Sequence, residues 1–461
     1  MKRTALHLVA FLMVVSLFAV FPPASEGQSR RDRQRAERLV IEGDRFYQQR
    51  NYDNAILSYA RALAIVPQYP LAHYNKGRAH FNLQQYSESV REFSIALDQG
   101  YDSESIYSIR WRAHFAMKQF DEAMRDVKAA LGKFPNNDYF YIAEGQILHE
   151  RREFQNALNS YQRAVDLGTK NTNISYLMAL SYNGLGNWQK QEELADKALK
   201  SATSMPDMAW FLLGDAQQRL RKYEDAVRSY ENAKSVNPDL YGIYINLAET
   251  HRVLNRLREA IAVAQEGLQR FENDATLHIN ISWYYSLSDR HPLAILHAKK
   301  ATDVAPDQYL GYTNLCRAYN DTNQLDLALQ NCESALRLRP GDGETNFYLG
   351  RTYQLKGDTD KAFDYYNKAV TGLEEFANAN PNYADAFYLL GNAYSVTEQN
   401  RKAIGAYLAS LEIAPMFARS RFNLGVIYLR EGERAKASEQ ATALQGIDAQ
   451  LAKRLQEVID Q

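Results

Sequence analysis

Apolar residues recur along this chain as paired stripes of helical period. In "WFLLGDAQQRLRKYEDAVRSYENAKSVNP" (residues 210–238), large residues fall three and four apart, small residues interrupt them, and a proline closes the segment. That spacing predicts two amphipathic helices joined by a short turn. Nearly the same skeleton returns in "YTNLCRAYNDTNQLDLALQNCESALRLRP" (312–340). A repeat beginning at Asp207 has Gly214 at position 8, Ala226 at 20, Tyr230 at 24, Ala233 at 27 and Pro238 at 32. The repeat from Tyr309 has Cys316, Ala328, Cys332, Ala335 and Pro340 at those places, and that from Ala36 has Gly43, Ala55, Tyr59, Ala62 and Pro67.

Repeats start at 36, 70, 104, 138, 172, 207, 241, 275, 309, 343, 384 and 418, at intervals of 34 or 35 with one of 41. The pattern predicts twelve helical hairpins over 36–445, a longer one at 343–383, and an amphipathic capping helix over 446–461. Small residues at 8, 20 and 27 let antiparallel helices approach closely. An aromatic at 24 is expected to fill the gap to the neighbouring repeat, and proline at 32 stops the second helix. Trp111 stands at position 8, so the third repeat is expected to pack less tightly. The seven added residues in "TGLEEFANANPNY" predict either an extended helix with a change of pitch or an insertion accommodated in a loop. A lone hairpin cannot bury its apolar stripe, whereas stacked hairpins can, which makes the array a solenoid.

A 34-residue helical hairpin with these small and aromatic positions resembles the tetratricopeptide repeat (TPR) family, over about nine-tenths of the chain. The resemblance implies an all-α, right-handed superhelix whose first helices line a concave groove with positions 2, 5, 6, 9, 12 and 13. Position 6 is Asn75, Asn246, Asn280, Asn314 and Asn423. Such a row resembles the asparagine ladder in the TPR region of O-linked N-acetylglucosamine transferase, whose catalytic half has no counterpart here. It implies clipping of the backbone of an extended peptide, because an amide both donates and accepts. Position 9 holds Arg78, Arg112, Arg317 and Arg351, suited to a carboxylate or phosphate, with Asp215 and Glu249 between them. Trp283, also at position 9, is a candidate aromatic anchor. The basic clamp by which some members of the family hold a dicarboxylate is missing, since position 5 of the first five repeats is Val40, Tyr74, Ser108, Ile142 and Tyr176.

Composition changes this picture little. The 461 residues are 46% hydrophobic and 24% charged, with a formal net charge of −1, so no global field draws in nucleic acid. The N-terminus differs in character: "MKRT", then the apolar "ALHLVAFLMVVSLFAVF", then the small-residue "PPASEGQS" have the layout of a signal peptide over 1–27, cleaved after Gly27. An uncleaved anchor is the alternative. A charged leader (28–35) follows, and no later stretch is long and apolar enough to span a bilayer. The mature chain is therefore expected to be periplasmic or secreted. Cys316 and Cys332 face each other across one hairpin, either as a disulfide that export would permit or as two small buried residues. Histidines 80, 114 and 251 all fall at position 11, a packing site, and no metal-ligand spacing, nucleophile elbow or phosphate loop occurs. The chain reads as a binding protein without cofactor or catalytic centre, gripping a protein or peptide partner along its groove. The alternative is a scaffold subunit of a cell-envelope assembly acting through its convex face or edges.

Overall fold

The computed structural model describes residues 30–461, so the expected signal segment lies outside them. Every regular element among the described residues is an α-helix. The chain forms two bodies, one ending at Thr169 and one running from Lys170 to Gln461. The N-terminal body holds α1 (Arg30–Gln48), α2 (Tyr52–Ile65), α3 (Pro70–Asn82), α4 (Tyr86–Asp98), α5 (Glu104–Ala116), α6 (Phe120–Lys133), α7 (Asp138–Glu150) and α8 (Phe154–Asp166). Residues 30–35 are the first turns of α1, so that part of the charged leader is helical.

The C-terminal body continues with α9 (Ile174–Gly184), α10 (Trp188–Lys200), α11 (Pro206–Arg219), α12 (Tyr223–Val236), α13 (Tyr241–Val253), α14 (Leu257–Arg270), α15 (Ala275–Leu287) and α16 (His291–Val304). It ends with α17 (Tyr309–Asp321), α18 (Leu325–Leu338), α19 (Gly343–Leu355), α20 (Thr359–Ala379), α21 (Ala384–Val396), α22 (Asn400–Ile413), α23 (Ala418–Arg430), α24 (Arg434–Gln445) and α25 (Ala449–Asp460). Consecutive helices pair as antiparallel hairpins. Within each body the first helices of successive hairpins touch, as α3 touches α5 and α17 touches α19, while the second helices make no comparable pairing. First helices therefore form the inner face.

Each hairpin turns on one residue. Position 15 is left-handed in all twelve repeats, at Arg50, Gln84, Lys118, Arg152, Gly186, Arg221, Asn255, Asp289, Asn323, Gly357, Glu398 and Gly432, with φ between 55° and 85°. The next amide donates back to the carbonyl at position 11, as in Gln85 N to His80 O at 2.9 Å and Glu433 N to Tyr428 O at 2.8 Å. This is a Schellman-type helix end, which satisfies carbonyls that would otherwise lack donors. Glycine is the residue suited to that conformation, yet it occupies only three of the twelve sites. The turn is imposed by the packing on either side of it.

That packing is a meeting of positions 8 and 24 within one hairpin. A Cβ on Gly145 would lie 2.3 Å from the Tyr161 ring, one on Gly214 2.8 Å from Tyr230, and one on Gly391 2.6 Å from Tyr407. The aromatic thus fills a hollow in its own hairpin. The third repeat reverses the sizes. Trp111 at position 8 and Val127 at 24 are both buried in one core cluster. In the ninth repeat Cys316 and Cys332 occupy the two positions and form a disulfide, with Cα atoms 5.2 Å apart. In the last repeat Leu455 of α25 supplies what position 24 does not, lying 2.5 Å from where a Gly425 Cβ would stand.

The seven added residues lengthen a helix. α20 runs for 21 residues and passes so close to the start of α19 that a Cβ on Gly372 would meet Gly341 O at 2.6 Å. Only glycine fits there.

A left-handed L-residue costs about 1 kcal/mol or more, partly offset by the freedom glycine has when unfolded. Lys118→Gly, at an exposed position-15 site, is expected to stabilise the protein by about 0.5–1 kcal/mol in urea unfolding.

Candidate functional site: the inner faces

The position-6 asparagines are committed to holding repeats together. Asn75 donates to Asp44 Oδ1 at 2.9 Å, and the Tyr59 hydroxyl donates to the same oxygen at 2.7 Å. Tyr59 and Asp44 are positions 24 and 9 of the preceding repeat, so three side chains clip two hairpins. The arrangement recurs where Asn423 and the Tyr407 hydroxyl both donate to Asn392 Oδ1 at 2.7 Å. Asn246 likewise bonds the buried Tyr230 hydroxyl. Asn314 is buried and donates to Ile279 O at 2.9 Å. Asn280 is half-buried and has no side-chain partner among the described residues. Four of the five amides expected to meet a peptide backbone are thus spent on the protein itself.

The arginines divide by body. In the N-terminal body Arg78 lies 4.5 Å over the Tyr47 ring and Arg112 lies 5.1 Å over Phe81. Both rings are position-12 residues of the preceding repeat. Each pairs in turn with the aromatic that opens its own second helix, Tyr47 with Tyr52 at 5.3 Å and Phe81 with Tyr86 at 5.5 Å, and Phe115 with Phe120 continues the row. Reading by position 24 alone misses this row, although an aromatic at position 17 of the first six repeats was there to be seen. Arg112 remains exposed, and Ile41 and Leu71 stand open on the same face at 53% and 36% exposure.

In the C-terminal body the inner face closes on itself. Arg252 on α13 is 4% exposed; its guanidinium lies 3.0 Å from Asp385 on α21 and 2.6 Å from Glu249. Around this buried pair, Arg221 bonds Glu412, the Tyr223 hydroxyl donates to Ile413 O, and Arg419 bonds Asp289 and the carbonyls of Ser286 and Leu287. Hairpins six to eight thereby meet hairpins eleven and twelve. A cavity of about 520 Å³ remains between them, lined by Arg252, Glu249, Asn246 and the Asn380–Ala384 segment that follows the lengthened α20.

Arg317 shows the result for a residue expected in an open groove. It is 4% exposed, lies 4.0 Å over the Trp283 ring, and bonds Asn314 Oδ1 at 2.5 Å and Glu344 at 3.1 Å. Trp283 is correspondingly half-covered rather than a free anchor. Arg351 pairs with Asp321 at 2.8 Å and keeps 38% of its side chain open. Burial pushes the Glu344 carboxyl up to about 7 against the opposing pull of Arg317. Burial also raises Asp385, although Arg252 favours its charged form.

Comparisons with known proteins bear on the whole array. A model of the TPR repeat matches residues 43–84, one of the tetratricopeptide repeat matches 341–416, and a third, also of the tetratricopeptide repeat, matches 112–172, 211–275 and 388–452. Together they cover well over half of the chain. Human Protein O-mannosyl-transferase TMTC3 is 24% identical over 54% of the chain, which spans 24% of that relative's length. Hsp70-Hsp90 organizing protein 3 of Arabidopsis thaliana is 24% identical over 57% of the chain and 46% of its own. The peroxisomal targeting signal receptor of Saccharomyces cerevisiae is 24% identical over 46% and 35%. The chain thus spans between a quarter and a half of these relatives. Among solved structures, yeast Tom70 aligns over 92% of this chain and 94% of its own at 16% identity, with a TM-score of 0.40.

Two outcomes follow from this geometry. Asn75→Ala removes a buried bond and is expected to cost about 1–3 kcal/mol in urea unfolding, whereas Asn280→Ala costs less than about 1. The second concerns pH. A carboxyl whose folded pKa lies above its unfolded value contributes stability that is complete below the unfolded pKa and lost as pH rises through the folded one. Glu344 therefore disfavours the fold progressively between its ordinary 4.5 and about 7. Glu344→Gln is expected to lose less stability than the parent across that window, in melts at a series of pH values.

Proposed function

Because the chain belongs to the tetratricopeptide-repeat family, a family of protein-interaction modules, we propose that it is an exported module that grips an extended partner segment along the inner face of its N-terminal body. The observation that carries this is the row of Tyr47, Phe81 and Phe115 overlaid by Arg78 and Arg112. An aromatic and apolar strip supplies contact area, while guanidiniums stacked on rings are held in place and keep donors for a carboxylate. The segment that fits is extended, apolar or aromatic, and carries one or two acidic residues about one repeat apart. The names of two relatives, an organizing protein and a targeting signal receptor, accord with binding rather than catalysis. The disulfide between Cys316 and Cys332 supports export, since such bonds persist in oxidising compartments.

The test uses the full chain and fluorescently labelled eight-residue peptides alternating acidic with aromatic residues. Fluorescence anisotropy is expected to show saturable binding that weakens about 10-fold or more in the Arg78→Ala/Arg112→Ala double variant. Equal binding by parent and variant would remove the assignment. For export, the mature chain recovered outside the cytoplasm is expected to begin at Gln28, read by mass spectrometry of its N-terminus.

A further inference from the structure

A second cavity in the C-terminal body, about 320 Å³, lies where the inner faces of hairpins eight to twelve converge. Four guanidiniums line it, those of Arg317, Arg351, Arg419 and Arg430, against a single lining carboxylate, Asp321. Three of the four also meet acids: Arg317 meets Glu344, Arg351 meets Asp321, and Arg419 meets Asp289. Among the described residues Arg430 hydrogen-bonds the Ser395 hydroxyl, at 3.2 Å, and pairs with no acid. The cluster therefore keeps a positive excess.

Two residues of this lining each hold one occluded polar atom. Arg317 Nε and Ser286 Oγ have no hydrogen-bond partner among the described residues, although the two residues are only 4% and 2% exposed. The remaining wall includes Trp283, Phe347, Tyr348 and Tyr388. Its volume is at the small end of sites for compact ligands, too small for an extended peptide of several residues.

We propose that this cavity binds a small aromatic anion, a planar ring carrying a phosphate or a carboxylate. The anionic group meets Arg430 and Arg351, and the ring lies against the aromatic wall. Planar, charged donors suit either head group bidentately, and the offset ring contacts add area. This site is separate from the N-terminal strip and does not depend on it.

Calorimetric titration of the full chain tests it, with phenyl phosphate and benzoate as the two arms and phenol and inorganic phosphate as controls. At least one aryl anion is expected to bind saturably, whichever arm succeeds naming the head group, while phenol does not bind. Arg430→Gln and Arg351→Gln, both partly open to solvent, are each expected to weaken binding about 10-fold. Trp283→Phe is expected to abolish a ligand-induced change in indole fluorescence, a readout that holds even if an arginine variant folds poorly. Failure of both aryl anions to bind, undiminished affinity in the arginine variants, or inorganic phosphate binding as tightly as phenyl phosphate would overturn the proposal. The Arg78→Ala/Arg112→Ala variant is expected to bind the aryl anion like the parent, so the peptide reading and this one fail separately.

Discussion

The distance between the two helices of a hairpin governs everything else in this protein, and it is set where position 8 meets position 24. Glycine against a tyrosine or phenylalanine ring, tryptophan against valine, alanine or serine against alanine, and a pair of bonded cysteines are the different pairs that meet there. A core at crystal-like density has little room for an added methylene unless its neighbour shrinks. Once that separation is fixed, the turn between the helices must be short, and position 15 is driven into the left-handed region even when the residue there is arginine or lysine. The same separation places the Tyr230 and Tyr407 hydroxyls at the edge of their hairpins, within reach of Asn246 and Asn423 of the next repeat.

That hydroxyl explains the asparagines. A buried phenol needs a hydrogen-bond partner, and a partly buried aspartate needs donors. Tyr59 with Asp44, and Tyr407 with Asn392, answer part of each need, and the amide at position 6 of the following repeat answers the rest. Asn280 follows a repeat whose position 24 is Ala264, and there the amide has no such task. Asn314 follows Ala298 and turns to a backbone carbonyl instead. The asparagines are therefore better understood as responses to the preceding repeat's tyrosine than as a ladder presented to a ligand. Each such triad couples neighbouring hairpins through directional bonds, where apolar stacking alone would tolerate slippage.

The hairpins, their family and the all-helical fold were legible in the sequence because the interactions that make them are local and repeated: a period near 34 survives any single substitution. Cys316 and Cys332 could be placed face to face for the same reason, since both fall on that period. What was not legible lies off the period. Asp385 meets Arg252 from 133 residues away, and neither residue is unusual within its own repeat. Arg317 looks in sequence like Arg78, sharing position 9, yet one is sealed beneath Glu344 and Trp283 while the other lies on an open aromatic row. Position within a repeat says which way a side chain points. It does not say what the array later brings opposite.

What the array brings opposite depends on one insertion. The seven residues added to the tenth repeat extend α20 and carry the chain through Asn380–Tyr383 before α21 begins, so that Asp385 arrives beside Arg252. Arg252, Asp385 and Glu249 would be costly to bury singly, and burying them together is tolerable only because each supplies the others' counter-charge. Such a pair adds little net stability over an apolar contact of the same size. Its stronger effect is to penalise every arrangement of these repeats that leaves one partner buried alone. The insertion and the ion pair thus act jointly: the first makes closure geometrically available, and the second makes the near-misses expensive. A closed inner face can no longer admit a long peptide, and the arginines on it are left to neutralise one another's neighbours or to meet something small. The open row in the N-terminal body has no such constraint, which is why equivalent positions in one chain can serve different ends.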